Sequence, residues 1–514
     1  MNGADALLAT LLANDVTACF ANPGTSEMQF VAALDRQPAM RSVLCLFEGV
    51  ATGAADGYGR IAEKPACTLL HLGPGYGNGV ANLHNARRAH TPIVNVIGDH
   101  ATYHRQYDAP LNSDIAALAA PNSVWVKSAE RADAVAELAA EAVAASYGPP
   151  GGPASLILPA DSAWTETSSS PVVVKKPARL APPGSVIDAV AGALRAAAKP
   201  VVLIGGQACQ AEGLAQAARL QAKDVTVMVD TFVARLPRGT GRFTPQRMPY
   251  FAEAALKALE GVDLMVLAGT TEPVAFFAYP DRPSLLMPSG CRAMRLASRT
   301  EDAVEALAAL ADAIAAPREG PSEPHVRTDM SPSGDLSPQS IGISIARHLP
   351  DGAIICDDGV TSSAGVAEQT TAAAPHDVLG LTGGAIGIGL PLAVGAAVAA
   401  PDRKVVALTG DGSAMYTVQA LWTLAREDLD VTVVVFVNNS YRILNIEMAR
   451  TGSGAAGPRA QRILDIGEPE IDWVSLAKSL GLPTISCQRA EHFESVFASA
   501  MKVRGPQLIA ALVP

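Results

Sequence analysis

The run Lys404-Val-Val-Ala-Leu-Thr-Gly-Asp-Gly-Ser413, followed by Val433-Val-Val-Phe-Val-Asn-Asn-Ser440, decides how this chain is read. Each is a short apolar segment of strand character that ends abruptly in polar, turn-prone residues. Asp411, Asn438 and Asn439 therefore emerge at strand ends, where open parallel sheets bind their ligands. A carboxylate, an amide and a backbone carbonyl form an all-oxygen donor set suited to Mg²⁺ or Ca²⁺, with room left for phosphate oxygens and water. Gly410 and Gly412 leave backbone N–H groups open to an anion. Gly-Asp-Gly alone is ordinarily a tight turn exploiting glycine's tolerance of positive φ. The pair of runs reads as a metal-bridged diphosphate site.

At 514 residues the chain exceeds a single hydrophobic core, and 49 % hydrophobic against 17 % charged residues can fill several buried sheets. Hydrophobic periodicity is lost at 165–184 and 317–338, where Pro, Ser and charge gather. These linkers set expected domains at 1–165, 180–318 and 336–514. Apolar runs at 18–21, 42–47, 66–71, 92–97, 200–204, 225–229, 264–267, 353–356, 404–408 and 431–437 alternate with helical patterns such as 4–14, 49–62 and 418–426. The expectation is an α/β fold of three doubly wound parallel-sheet domains.

A net charge of -11 without a dense Lys/Arg block argues against nucleic acid and anionic membranes as partners. No run approaches the ~20 apolar residues of a membrane span, and Met1-Asn-Gly-Ala-Asp lacks a basic leader, so a cytoplasmic location is expected. Seven scattered cysteines without Cys-x-x-Cys read as buried, reduced thiols.

Glu48 lies between the apolar run at 43–47 and an Ala/Gly-rich helical segment ending Ala-Asp-Gly-Tyr-Gly-Arg60. Poor solvation there would raise its pKa, and stabilising a helix start is an equal alternative. The spacing of Gly-Asp-Gly-Ser, a helix, a second strand and Asn-Asn resembles the cofactor motif of thiamine diphosphate (ThDP) enzymes. The Glu48 segment is similar to the catalytic-glutamate motif of the acetolactate-synthase-like and pyruvate-oxidase-like members of that family. Asn22-Pro-Gly-Thr-Ser-Glu27 and Leu70-His-Leu-Gly-Pro-Gly-Tyr-Gly-Asn78 resemble the substrate-pocket loop and histidine-bearing glycine loop of benzoylformate decarboxylases, with Thr25 at a serine position. Leu381-Thr-Gly-Gly-Ala-Ile-Gly-Ile-Gly-Leu-Pro391 resembles the family's pyrimidine-binding turn. These motifs run over essentially the whole chain.

The resemblance implies that Glu48 hydrogen-bonds the cofactor's aminopyrimidine ring, that the Gly384 carbonyl holds its exocyclic amine, and that Ile386 props its bent form. Asp411, Asn438 and the Ser440 backbone oxygen would hold Mg²⁺ or Ca²⁺; Asn439 is the alternative, because Val437 occupies the usual first Asn. Gly410, Gly412, Ser413, Thr361 and Tyr441 fall to the cofactor, with ordinary loop capping open for Thr361 and Ser413. His71, with Thr25 beside it, is the candidate for proton transfer and for orienting the substrate carboxylate, against the reading of a structural strand-end histidine. His100, Tyr103 and His104 either line the substrate pocket or form a surface loop.

The reaction implied is ThDP- and Mg²⁺-dependent decarboxylation of a 2-oxo acid with carboligation, as in acetolactate synthase. The alternatives are a simple decarboxylase of the benzoylformate type, or a low-activity paralogue serving as partner subunit. A nicotinamide or flavin oxidoreductase ranks below these, because Gly205-Gly206 with Asp230 lacks the full dinucleotide fingerprint. No FAD is expected. A homodimer is the implied minimal unit and a homotetramer the expected assembly. The departures concern the substrate: Gly49, Asp99 and Pro110-Leu111 stand where acetolactate synthases carry other residues. The benzoylformate decarboxylase histidine has no counterpart near Phe276-Phe-Ala-Tyr279, and no lid is expected after 507–514.

Overall fold

Three sheets carry the architecture of the computed structural model, which describes residues 1–324 and 331–514. The expected second linker therefore falls partly outside the described residues, at 325–330. The first sheet contains Ala18–Asn22 (β1), Arg41–Leu44 (β2), Ala66–Leu70 (β3), Ile93–Asp99 (β4), Trp125–Ser128 (β5) and Pro153–Pro159 (β6) in the order β2-β1-β3-β4-β6-β5. Next along the chain come Pro200–Ile204 (β7), Thr226–Val229 (β8), Arg235–Arg238 (β9), Gln246–Arg247 (β10), Leu264–Ala268 (β11) and Arg292–Ala297 (β12). All of these except β9 form the second sheet, β10-β8-β7-β11-β12. The third is built from Ala353–Asp358 (β13), His376–Gly380 (β14), Val405–Gly410 (β15), Val431–Val437 (β16), Thr484–Cys487 (β17) and Gln507–Leu512 (β18), ordered β17-β18-β16-β15-β13-β14-β9.

Every pairing within these sheets is parallel except that of β9 with β14. The α/β fold of three parallel-dominated sheets expected from the alternating pattern is thus present. The antiparallel edge strand was not legible in the sequence, because Arg235-Leu-Pro-Arg238 has neither length nor β-propensity. Arginine anchors hold it: Arg238 donates to the Ala367 carbonyl at 2.7 Å, and Arg242 to the His376 carbonyl at 2.6 Å.

One hydrophobic core crosses the boundaries of the sequence blocks, while each block also has a core of its own. One cluster joins Phe20, Val43, Val50 and Ala54 of the first block to Ile354, Leu392, Val405 and Val433 of the last. The second sheet buries its two faces in clusters of its own. Six cysteines are buried as expected, while Cys291 is partly exposed. Among the described residues, no helix is long and apolar enough to cross a membrane.

The shared core depends on two helices, Glu48–Ala62 and Gly389–Ala399, that touch backbone to backbone. A Cβ on Gly395 would lie 1.8 Å from the Ala54 carbonyl oxygen, and one on Gly57 2.2 Å from that of Leu392. Beside this crossing, Arg60 is buried against Asp56, donating at 2.7 and 2.6 Å. Its remaining donors reach the carbonyls of Ala234 and Gly380 and the Thr382 hydroxyl. One guanidinium thereby ties all three blocks together. Replacing Gly395 with Ala forces these helices apart, and a loss of about 1–3 kcal/mol is expected in chemical denaturation; unchanged stability would refute the close crossing.

Candidate active site

Glu48 is the first residue of its helix, with extended Phe47 as the cap, because the preceding strand stops at Leu44 rather than continuing to 47. Its carboxylate is buried and accepts a hydrogen bond from Asn78 Nδ2 at 3.0 Å. Asn78 lies on the helix Leu72–Ala89, so the glycine-rich segment expected as a loop, Leu70 to Asn78, is helical from its third residue on. Its glycines serve packing: a Cβ on Gly75 would lie 3.1 Å from Glu48 Oε1 and 3.3 Å from His71 Cβ, and one on Gly79 2.8 Å from Thr52 Cγ2. Glu48 and His71 thus flank a single point that only glycine leaves open.

His71 caps this helix, and Leu72 immediately after it holds φ of 48°, a conformation costly for a branched residue and common at functional sites. His71 Nδ1 lies 2.8 Å from Glu27 Oε2 and 3.3 Å from Ser26 Oγ. The sequence reading quoted Glu27 but assigned it no role. Together with Thr25, His100, Tyr103 and His104, His71 lines a cavity of about 470 Å³ whose apolar wall includes Met28, Leu72, Leu111 and Trp164. The His100 loop thus borders this cavity, with Tyr103 and His104 also exposed to solvent. His100 Nε2 is buried there without a hydrogen-bond partner. Asp99 pairs with Arg105 at 2.9 Å, while burial pushes its carboxyl above the ordinary range.

The second group gathers at the carboxyl ends of β13, β15 and β16. Asp411 opens a short helix, Asp411–Met415, with Gly410 as its cap at φ -74°, so Gly-Asp-Gly is not a positive-φ turn here. Gly412 is required for space instead: a Cβ there would lie 2.5 Å from the Tyr441 ring. Asp411 Oδ2 accepts from the backbone N–H groups of Asn438 at 2.9 Å and Asn439 at 2.6 Å, and Oδ1 from that of Gly412 at 2.8 Å. Burial nevertheless pushes its carboxyl above the usual value, against the pull of those donors.

Gly384 sits at φ 82° in the glycine turn, with the Phe276 ring 2.7 Å from where its Cβ would be. Asn85 grips this turn from the first block. Its Oδ1 accepts from the Gly383 and Ala385 N–H groups at 3.0 and 3.3 Å, and its Nδ2 donates to the Ala385 carbonyl at 2.8 Å. Half-buried Ile386 lies in the same turn, and Thr361 in the loop after β13, which also holds Val360 at φ 48°. Asn85 and Phe276 carried no sequence signal, since each acts across blocks. None of Gly384, Asp411, Asn438 or Ser440 lines the cavity at His71, so the two groups stay separate in one chain.

Residues 1–118 match the N-terminal TPP binding domain of thiamine pyrophosphate enzymes, and residues 359–511 the C-terminal TPP binding domain. A Mycobacterium tuberculosis protein named "Putative acetolactate synthase large subunit IlvX" is 50 % identical, with 100 % of this chain and 99 % of that protein covered. The chain belongs to the thiamine pyrophosphate enzyme family. Another family member, a benzoylformate decarboxylase of Pseudomonas aeruginosa, is 27 % identical over 96 % of this chain and 95 % of its own length. The solved structure of a Rhodococcus jostii RHA1 thiamine diphosphate-dependent 4-hydroxybenzoylformate decarboxylase superposes with a TM-score of 0.88 at 25 % identity, covering 100 % of this chain and 99 % of that one.

The donor chemistry of this thiamine pyrophosphate enzyme fits its cofactor and a hard cation. Among the described residues no cluster of three His, Cys, Asp or Glu could hold a metal. Among the described residues the Ser440 carbonyl accepts no hydrogen bond, whereas the Asn439 carbonyl accepts from Ile466 N–H at 3.0 Å. Asn439, at φ 54°, packs its side chain against Gly467, while Asn438 Oδ1 accepts from Ser440 N–H at 3.1 Å and keeps a second lone pair. In the second sheet, the Asp230 carboxylate accepts from the Thr270 hydroxyl, at 2.8 Å to Oδ1 and 2.6 Å to Oδ2.

Beneath the glycine turn, Asp358 Oδ2 accepts from Gly387 N–H at 2.7 Å and Gly389 N–H at 3.3 Å, while its buried Oδ1 has no partner. Burial raises its carboxyl to about 7. An unfolded Asp titrates near about 3.9, so the folded state holds the proton more tightly and loses this stability as pH rises toward 7. Asp358→Asn mimics the protonated acid and should flatten the decline in thermal stability between about pH 4 and pH 7; parallel profiles for both proteins would contradict it.

Proposed function

We propose that this chain is a ThDP- and Mg²⁺-dependent enzyme that decarboxylates a 2-oxo acid. The observation carrying this reading is the convergence of buried Glu48 and cavity-lining His71 on Gly75, within a chain that has both TPP binding domains. Bound ThDP supplies the electron sink that lets a 2-oxo acid lose CO₂. Glu48 would hydrogen-bond the pyrimidine ring, Gly384 would offer its carbonyl to the exocyclic amine, and Ile386 would pack against the cofactor. Asp411, Asn438 and the Ser440 carbonyl would hold Mg²⁺, with Gly410, Gly412, Ser413, Thr361 and Tyr441 placed to meet the diphosphate. FAD has no part in this reading.

His71, assisted by Thr25, receives the substrate carboxylate and handles protons, while His100, Tyr103 and His104 shape the pocket. As the family resemblance implies, each complete site would combine the first half of one subunit with the second half of another. A homodimer is then the smallest active unit, with a homotetramer as the expected assembly and the cytoplasm as its setting. Carboligation is a second reading, favoured by the 50 % identity to the acetolactate-synthase-named relative.

Supplied with ThDP and Mg²⁺, the protein should release CO₂ from at least one of pyruvate, 2-oxobutyrate and benzoylformate. Glu48→Gln should abolish that release while ThDP binding, read by calorimetry, persists; full activity of this variant would remove Glu48 from the mechanism.

A further inference from the structure

A second cavity, of about 400 Å³, lies where the first block, the linker after it and the second sheet meet. Gly206, Gly269 and Ser298 bring to it the carboxyl ends of β7, β11 and β12, the edge at which an open parallel sheet receives ligands. Lys176, Arg179 and Arg299 stand around it, each with a neutral partner. Lys176 lies 5.0 Å over the Tyr147 ring, Arg179 donates to the Arg299 carbonyl, and Arg299 donates to His90 Nε2 at 3.3 Å. His90 can accept there because its Nδ1 donates to the Gly151 carbonyl at 3.2 Å. Burial, and then the charges of Arg299 and Arg179, push its imidazole down to about 4, so it stays neutral.

The carboxylates at this cavity have partners of their own. Glu63 pairs with Arg235 at 3.1 Å, Glu301 accepts from Ser298 N–H at 2.7 Å, and Asp302 accepts from Val304 and Glu305 N–H at 3.0 and 2.9 Å. Arg60, also at the wall, is satisfied by Asp56. Asp302 acts on Arg179, and Asp230 feels Arg299, through space only. Among the described residues none of Lys176, Arg179 and Arg299 closes a salt bridge. In a chain of net charge -11, three cations thus share one cavity without a paired anion. Gln207 Oε1 is buried at the same wall and has no hydrogen-bond partner.

We infer that this cavity binds a small organic phosphate, with its phosphoryl group held by Arg179 and Arg299 and its organic part against Tyr147, Pro92 and Pro150. A phosphoryl group near neutral pH supplies the negative charge and the acceptor oxygens that two guanidinium groups can share. The prolines and the Tyr147 ring offer an apolar wall to the rest of the molecule, and Gln207 Oε1 an acceptor for one of its hydroxyls. The volume stands at the lower end for ligand pockets, which suits such a molecule and not a dinucleotide. The ligand touches the first block, the linker and the second sheet at once, so its binding stabilises their arrangement. This inference is independent of the proposed decarboxylation.

The test is calorimetric titration of the full chain with glycerol 3-phosphate, 3-phosphoglycerate, inorganic phosphate, FAD and potassium chloride at matched ionic strength. ThDP and Mg²⁺ are kept saturating, so that the group at Asp411 does not report. At least one organic phosphate should bind once per chain with Kd below about 1 mM, and inorganic phosphate at least about threefold more weakly. FAD and chloride should give no saturable signal. Arg179→Gln and Arg299→Gln should each weaken the organic phosphate at least about tenfold, as loss of a charge-assisted hydrogen bond implies. Lys176→Gln, at an exposed position that cannot disturb the core, should weaken it about threefold. Trypsin cleavage after Arg179, beside exposed Leu180, should slow at least about threefold with ligand, and Arg299→Gln should remove that protection. No saturable binding of either organic phosphate, wild-type affinity in all three variants, or displacement of the phosphate by FAD would overturn the inference.

Discussion

The crossing of the Glu48–Ala62 and Gly389–Ala399 helices is the contact on which the rest of the molecule is arranged. Two glycines let the backbones meet where any side chain would clash with a carbonyl. The contact joins one face of the first sheet to one face of the last in a shared apolar core, while the other face of each packs in a cluster of its own block. Burial of Arg60 alongside is tolerable only because Asp56, two carbonyls and a hydroxyl satisfy it. Those partners lie in all three blocks, and their relative placement is therefore set by hydrogen-bond geometry as well as by apolar packing.

That fixed placement determines what each end of the structure can do chemically. The helix that begins with Glu48 leads directly to Arg60, and the helix that carries Asn78 also carries Asn85. One face of the first block thus supports the carboxylate, while the other grips the turn around Gly384. Asp358 supports the same turn from below through Gly387 and Gly389. A turn held from two sides presents its carbonyls with little freedom, which suits recognition of a flat heteroaromatic ring.

Much of the cofactor side was legible in the residues. Lys404–Ser413 and Val433–Ser440 are continuous strand-to-loop transitions, so their polar ends had to emerge at one sheet edge once β15 and β16 paired. Asn438 and Asn439 look alike in the sequence, and only packing separates them: Asn438 Oδ1 accepts from Ser440 N–H, while the Asn439 side chain lies against Gly467. The Gly-Asp-Gly run was misleading in conformation: it begins a helix, and its second glycine answers to the Tyr441 ring rather than to a turn. The glycine-rich segment after His71 likewise reads as a loop by composition, yet its glycines serve close helix packing.

Strand and helix alternation, the α/β class, the Glu48 and Asp411 motifs and the family follow from local order, because hydrophobic period and turn chemistry are properties of neighbouring residues. The Glu27–His71 pair, the Asn85 clamp, the Phe276 ring over Gly384 and the β9 edge strand join residues far apart in the chain. Such contacts exist only after the backbones have packed, since distances between side chains of different elements are fixed by the helix crossing and sheet register, which no stretch of neighbouring residues encodes.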